Sequence, residues 1–268
     1  PVPKSDTPGE EASPTQPFPV KPAPLTAQTI TVNAFGINDA DRQWCQAEIS
    51  QLRTTGIFTP PSVQGTLVIP GNIGGMNWGG MAYDPQNHLL VLPNNHLASE
   101  VKLIPRADLE NVRNSRGRKL DGDWEIGEQR GTPYAMMRRI LISHSGVPCT
   151  PPPWSTLIAV DTVTGEKKWE VPFGSRTPGT HTGSLSLGGP IIAASGLVFV
   201  AGTLDPAIYA FDIKTGNQLW RGELPTSARS TPITFRGPDG KQYLVVSAGG
   251  HGIPGMAPLG DYVVAFSL

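Results

Sequence analysis

From residue 65 onward the apolar positions come in short runs of three to six, cut by Gly, Pro, Asn and Asp. That spacing predicts many short β-strands and few helices. The expected strands cover residues 66–69, 80–83, 89–92, 101–104, 157–160, 191–193, 197–201, 208–211, 218–222, 231–235, 243–248 and 262–267. Asp84-Pro85-Gln86-Asn87 reads as a tight turn between two of them. One long helix is expected, over residues 38–53, opened by Asn and Asp caps and striped by Trp44, Ala47, Ile49 and Leu52. Residues 106–130 are polar and charged and read as an exposed insertion. Residues 1–30 are Pro-rich without apolar periodicity, so they read as an extended segment on a surface or between units.

The strand-rich region repeats a pattern. Ala159-Val160-Asp161-Thr162-Val163-Thr164-Gly165-Glu166-Lys167-Lys168-Trp169 returns after 51 residues as Ala210-Phe211-Asp212-Ile213-Lys214-Thr215-Gly216-Asn217-Gln218-Leu219-Trp220. A further copy begins at Tyr262-Val263-Val264-Ala265-Phe266. In the two full copies an apolar strand enters D-x-x-T-G, whose Gly permits positive φ, and the next strand carries a Trp. A large ring at that place suits packing between neighbouring sheets. The period is that of propeller blades, which cannot bury both faces alone. The fold class expected is all-β: a tryptophan-docked β-propeller of which about three to four blades are present, fewer than the roughly four to eight of closed rings.

Composition agrees with turn-rich β-structure. Gly 31 and Pro 28 make up roughly a fifth of the 268 residues, against about 12% in ordinary proteins. A net charge of −1 with mixed signs gives no footprint for nucleic acid. No run of about 18 apolar residues predicts a membrane span, and the first residues lack the charged-then-apolar pattern of a leader. Cys45 and Cys149 either pair in an oxidising compartment or serve separately as small buried hydrophobes. No metal-ligand spacing is present.

Several local motifs converge on one family. Gly56-Ile57-Phe58-Thr59-Pro60-Pro61-Ser62-Val63-Gln64-Gly65-Thr66-Leu67-Val68-Ile69-Pro70-Gly71-Asn72 resembles a signature of the membrane-bound, pyrroloquinoline-quinone (PQQ)-dependent glucose and quinate dehydrogenases. So do Trp78-Gly79-Gly80, Leu187-Gly188-Gly189-Pro190 and Ser247-Ala248-Gly249-Gly250-His251-Gly252, and the Pro-rich opening is similar to an internal segment of those enzymes. The resemblance implies an eight-bladed propeller with the quinone in a funnel on its axis. Residues 31–268 would then be its C-terminal part, completed by N-terminal blades from the same protein or a separate chain.

The resemblance also implies roles. Asn72 matches a cofactor-contacting position, with Asn77 a competitor because Asn77-Trp78 resembles a dipeptide of the alcohol-oxidising branch. Leu187 matches a position packed near the quinone ring, Asp205 and His251 match further pocket positions, and Trp78 lies beside the set. Bland alternatives stand beside these. Asn72 after Pro-Gly suits a turn, Asp205 before Pro suits a hairpin cap, and a lone His is commonly structural. The implied reaction oxidises a sugar or polyol, glucose to gluconolactone foremost, with electrons passed to ubiquinone on the periplasmic side through an anchor outside this chain. The implied general base and the ligands of a calcium or magnesium ion have no counterparts here, so no catalytic or metal-ligating residue is expected. The competing class is a non-catalytic propeller scaffold for outer-membrane protein assembly, which shares the Trp repeat but has no need of the other motifs.

Overall fold

A computed structural model describes residues 1–27, 30, 34–115, 124–175, 180–251 and 258–267. In chain order its elements begin with helix α1 (Asp39–Ser50), β1 (Thr66–Val68), β2 (Ala82–Asp84), β3 (Leu89–Asn95) and β4 (Ser99–Pro105). A 3₁₀ turn (Arg106–Asp108) and α2 (Leu109–Ser115) lead to β5 (Glu125–Gly127) and β6 (Tyr134–Ile140). Then come β7 (Ser155–Asp161), β8 (Glu166–Pro172), β9 (Pro190–Ile192), β10 (Leu197–Val200), β11 (Ala207–Asp212) and β12 (Gln218–Glu223). The last are β13 (Ile233–Arg236), β14 (Gln242–Ala248) and β15 (Tyr262–Ser267). The strands form four antiparallel sheets, as the short apolar runs predict. Two compact units divide the chain.

The first unit (Pro1–Phe18, Thr26–Ile73, His96–Pro151) holds the sheet β1-β4-β6-β5 and α1. Helix α1 starts where the sequence places it, because the Asn38 side chain accepts from the Asp41 amide at 2.8 Å. Its buried side differs from the expected stripe. Asp41, Cys45 and Ile49, each four residues apart, face inward, while Ala47 is exposed. Cys45 is bonded to Cys149, with Cα atoms 5.5 Å apart, so the helix is stapled to the segment after β6. Arg139 on β6 adds an ionic tie, pairing with Glu48 of α1 and with Glu100 of β4 at 2.8 Å.

The expected insertion at 106–130 is a correction. Some of it is α2, whose Leu109 is buried with Ile104, Ala135 and Met137, and some is β5, the outermost strand of the sheet. Its charges misled because they line outer faces and pair locally: Arg113 with Glu110 and Glu128, Arg138 with Glu125. Residues 116–123 of that stretch lie outside the described residues.

The second unit (Pro19–Leu25, Gly74–Asn95, Pro152–Leu268) holds the sheets β2-β3-β7-β8, β9-β10-β11-β12 and β13-β14-β15. The repeated motif builds the same hairpin twice. Asp161 accepts from the amides of Val163 (2.8 Å) and Thr164 (3.0 Å), and Asp212 from those of Lys214 (3.0 Å) and Thr215 (2.8 Å). Gly165 and Gly216 take φ of 70° and 72°. Each Asp thus closes a turn whose amides would otherwise be unpaired.

Successive sheets pack face to face. Val91, Leu157, Phe173, Val198 and Tyr209 share one core between the first two sheets, and Phe199, Ile208, Leu244 and Val246 share the next. Trp169 crosses the first interface: its Nε1 donates to the Ile213 carbonyl at 2.8 Å. Its ring covers Gly216, where an added Cβ would stand 2.6 Å away. The Pro-rich opening carries no helix or strand among its described residues. Asp6 there pairs with Arg53 at 2.7 Å in the first unit; Leu25, in the second, packs on Leu92 and Ile158.

Candidate functional site

Three edge strands of the second unit, β2, β9 and β13, are each entered through a segment that meets the others. Leu187-Gly188-Gly189 leads into β9 and crosses Trp78-Gly79-Gly80, which leads into β2. A Cβ on Gly189 would lie 1.8 Å from the Gly79 carbonyl oxygen, so no larger residue fits that crossing. Thr231, before β13, donates to the same Gly79 carbonyl at 3.3 Å. Gly188 lies against the Ala201 carbonyl, where a Cβ would come within 2.4 Å, and the Leu187 amide donates to the Gly202 carbonyl at 2.9 Å. Glycine at these places is a packing requirement, and it brings bare backbone to one locus.

His251 joins that locus from the segment after β14. It is buried, 2% exposed, and its Nε2 donates to the Thr203 carbonyl at 3.0 Å. The preceding Gly250 amide donates to the Ser227 carbonyl at 2.8 Å. With Nε2 carrying the proton, Nδ1 of the neutral ring is an acceptor, and it has no hydrogen-bond partner among the described residues. Burial, and then the positive charge of Arg229, push the imidazole below its ordinary value of 6.5, against the pull of the Thr203, Gly202 and Ala228 carbonyls. The ring is therefore neutral at pH 7 and complements a donor. Gly252, the last residue of that motif, lies outside the described residues.

Other buried polar atoms on the same segments also lack partners among the described residues: Ser186 Oγ, Thr203 Oγ1 and Ser227 Oγ. Native interiors leave few such atoms, and ordered water or a ligand would satisfy them. Ser186 precedes Leu187, Thr203 carries the carbonyl bound by His251, and Ser227 carries the one bound by Gly250. Unspent donors and acceptors beside a half-buried Leu and glycine backbones fit a flat ligand with polar edges.

Asn77 and Trp78 lie on the loop that crosses Leu187-Gly188-Gly189; Asn77 accepts from the Trp78 amide at 2.7 Å, and the Trp78 ring is 94% exposed. Asp205 sits two residues beyond Thr203, but its carboxylate is engaged. It accepts from the Tyr209 hydroxyl and, at 3.2 Å, from the Ser175 amide, with Arg221 3.9 Å away. Burial and then the Asp205 charge raise the Tyr209 hydroxyl far above its ordinary value, so it stays a donor. Asn72 belongs to the first unit, where it is exposed and accepts from Ser99 Oγ at 2.8 Å.

Sequence reading missed Asn95, Ser186, Thr203 and Ser227. Hydroxyl residues carry no motif, but Asn94-Asn95 at the end of an apolar strand was a readable signal, because polar pairs are seldom fully buried without a task. Among the described residues no three His, Cys, Asp or Glu side chains converge on a possible metal ion. No described helix is long and apolar enough to cross a membrane.

Known proteins are similar to this chain in sequence and fold. Over its whole length the chain is 36% identical to the quinoprotein glucose dehydrogenase of Escherichia coli K12 and covers 35% of that protein. Its identity is 35%, with the same coverage, to a probable quinate dehydrogenase (quinone) of Xanthomonas campestris pv. juglandis. The chain thus spans about a third of the length of these relatives. The quinohemoprotein alcohol dehydrogenase of Comamonas testosteroni superposes with a TM-score of 0.50 at 22% identity, over 76% of this chain and 27% of that one, a likeness of fold. Residues 1–244 match the family described as glucose/ethanol/alcohol dehydrogenase, beta-propeller domain. The chain belongs to this family of PQQ β-propeller dehydrogenases, the oxidoreductases that its sequence motifs resemble.

Proposed function

We propose that the chain forms one wall of the PQQ pocket in a longer dehydrogenase that oxidises a sugar or polyol, with glucose to gluconolactone the leading reaction. The observation that carries this reading is the buried Nδ1 of His251, without a partner among the described residues, on a ring held by Thr203 next to the Gly202 carbonyl that binds Leu187. When bound, the quinone supplies a two-electron, two-proton acceptor that no side chain can provide. The chain's own residues bind and orient it. Gly79, Gly188 and Gly189 let backbone come close, and Leu187 offers an apolar wall. His251 accepts a hydrogen bond from an N–H or protonated edge. The Ser186, Thr203 and Ser227 hydroxyls provide further polar contacts, directly or through ordered water.

Asn77 and Trp78 border the pocket from their loop, and Asp205 ties the segment after Thr203 to Ser175 and Tyr209. Asn72 of the first unit enters this reading on the resemblance of its Pro-Gly-Asn motif alone. The general base and the calcium or magnesium ligands belong to other blades of the longer protein. Ubiquinone is the electron acceptor. A periplasmic setting suits the Cys45–Cys149 bond, because structural disulfides persist in oxidising compartments. Membership of a dehydrogenase family favours this reading over an assembly scaffold. The test is to express the chain alone and with the remaining blades, add PQQ and calcium or magnesium, and follow sugar-dependent dye reduction. Activity in the assembled protein is expected. Failure of the assembled protein to bind PQQ or oxidise any sugar or polyol overturns the reading.

A further inference from the structure

Asn95 ends β3 at 1% exposure, where a strand of apolar residues gives way to two asparagines. Its side-chain amide lies against a peptide unit as another peptide would. Nδ2 donates to the Ser186 carbonyl at 2.8 Å, and Oδ1 accepts from the Ser186 amide at 2.8 Å. Toward a second segment, its backbone amide donates to the Gly75 carbonyl at 2.7 Å, and Nδ2 reaches the same oxygen at 3.3 Å. Gly75 stands two residues before Asn77 and Ser186 one residue before Leu187. Neither belongs to a strand, so no sheet ladder sets their spacing.

We propose that Asn95 is a positioning residue that fixes the loop carrying Asn77 and Trp78 relative to Leu187, and so sets the width of the slot offered to the quinone. The assignment rests on the PQQ-pocket reading above. Opposed donor and acceptor on one rigid amide are needed to pair both groups of Ser186 while a further hydrogen bond reaches Gly75. A hydroxyl cannot do this, and the carboxylate of Asp would face the Gly75 and Ser186 carbonyls without a donor. Leu187 is then gripped from both directions, by Asn95 through Ser186 and by Gly202 through its own amide. Asn94, on the other face of β3, supplies a control: it is also buried, and its Nδ2 donates to the Leu25 carbonyl at 2.9 Å, away from these loops.

The experiment titrates PQQ into the full-length, quinone-free protein, well below its melting temperature, and follows tryptophan fluorescence. Asn95→Thr, Asn95→Asp and Asn94→Thr are compared with the unaltered protein. Both Asn95 variants are expected to raise the PQQ Kd by about ten- to a hundredfold, as loss of two hydrogen bonds in a preorganised site implies. Asn94→Thr is expected to lower the melting temperature and leave that Kd unchanged. In the quinone-free protein, the Ser186 amide should exchange faster with solvent in Asn95→Thr than in Asn94→Thr, a readout independent of the ligand. If unaltered protein binds PQQ and both Asn95 variants bind it equally well, the inference is overturned while the pocket stands. If unaltered protein binds no PQQ, the pocket reading fails first. Should the Asn95 variants not fold, exchange at Ser186 in the unaltered protein decides: an amide as unprotected as open loop contradicts the clamp.

Discussion

Trp169 and Trp220 close the same eleven-residue motif, yet the protein treats them differently. Trp169 is 9% exposed, donates to the Ile213 carbonyl at 2.8 Å and packs against Gly216. Trp220 remains half-buried, meets Phe266 edge-on at 5.1 Å and borders a cavity of about 340 Å³ lined also by Leu197, Phe199 and Leu219. The motif therefore supplies a ring at a blade interface, and the neighbouring sheet decides how far that ring is used. Beyond Trp169 stands a complete four-stranded sheet with its own D-x-x-T-G turn. The sheet beyond Trp220, among the described residues, has three strands and leaves Ile233 and Val263 of its outer face 58% and 72% exposed.

Replacing the two rings is the strongest way to break this comparison. Trp169→Ala should cost about 3–5 kcal/mol and Trp220→Ala about 1–2 kcal/mol, read from urea denaturation, because only the first empties a filled interior site. Equal losses would show that the difference in docking has no energetic weight. Gly216→Ala comes next, at about 1–3 kcal/mol, since it combines a strained φ with a clash on Trp169. Gly240→Ala isolates the strain: φ is 78° there and nothing lies within 4 Å of the added Cβ, so about 1 kcal/mol is expected. Trp169→Phe keeps the ring but orphans the Ile213 carbonyl, at about 1–2 kcal/mol, whereas Trp220→Phe should be near neutral.

The smallest effect concerns acid. Amides of the D-x-x-T-G turn, Thr164 first, and then Lys168, hold Asp161 at about 2, below its ordinary 3.8. Its contribution is present above the ordinary value and is lost as pH falls toward 2. The stability gap between the unaltered protein and Asp161→Asn should therefore close across that window. Asp212 is also lowered, by the Thr215 hydroxyl first. Asp212→Asn should show the same direction without a contribution from Lys168.

The legibility of the fold follows from the same physics. Strands β9 to β15 and the two motif hairpins could be read because their apolar runs are local and their turns need particular residues, Asp and Gly above all. Strand β6 could not, because Arg138 and Arg139 interrupt its apolar pattern and are satisfied by Glu125, Glu48 and Glu100 from elsewhere in the chain. Nor could the partnership of Cys45 with Cys149, separated by 104 residues, be settled before their Cα atoms were placed. At the site, His251 was singled out by its flanking glycines and Leu187 by the resemblance of its Leu-Gly-Gly-Pro motif. Asn95 was overlooked because its value lies in matching a peptide unit 91 residues away, and spacing along the chain does not encode that match.

The central claim is that glycine-crossed strand entries in the second unit cradle a quinone beside His251. Determining the structure of the full-length protein loaded with PQQ tests it most directly. The account predicts the flat ligand against Leu187, with one of its hydrogen-bond donors within about 3 Å of His251 Nδ1. Density for the ligand at a place that touches neither Leu187 nor His251 would contradict it.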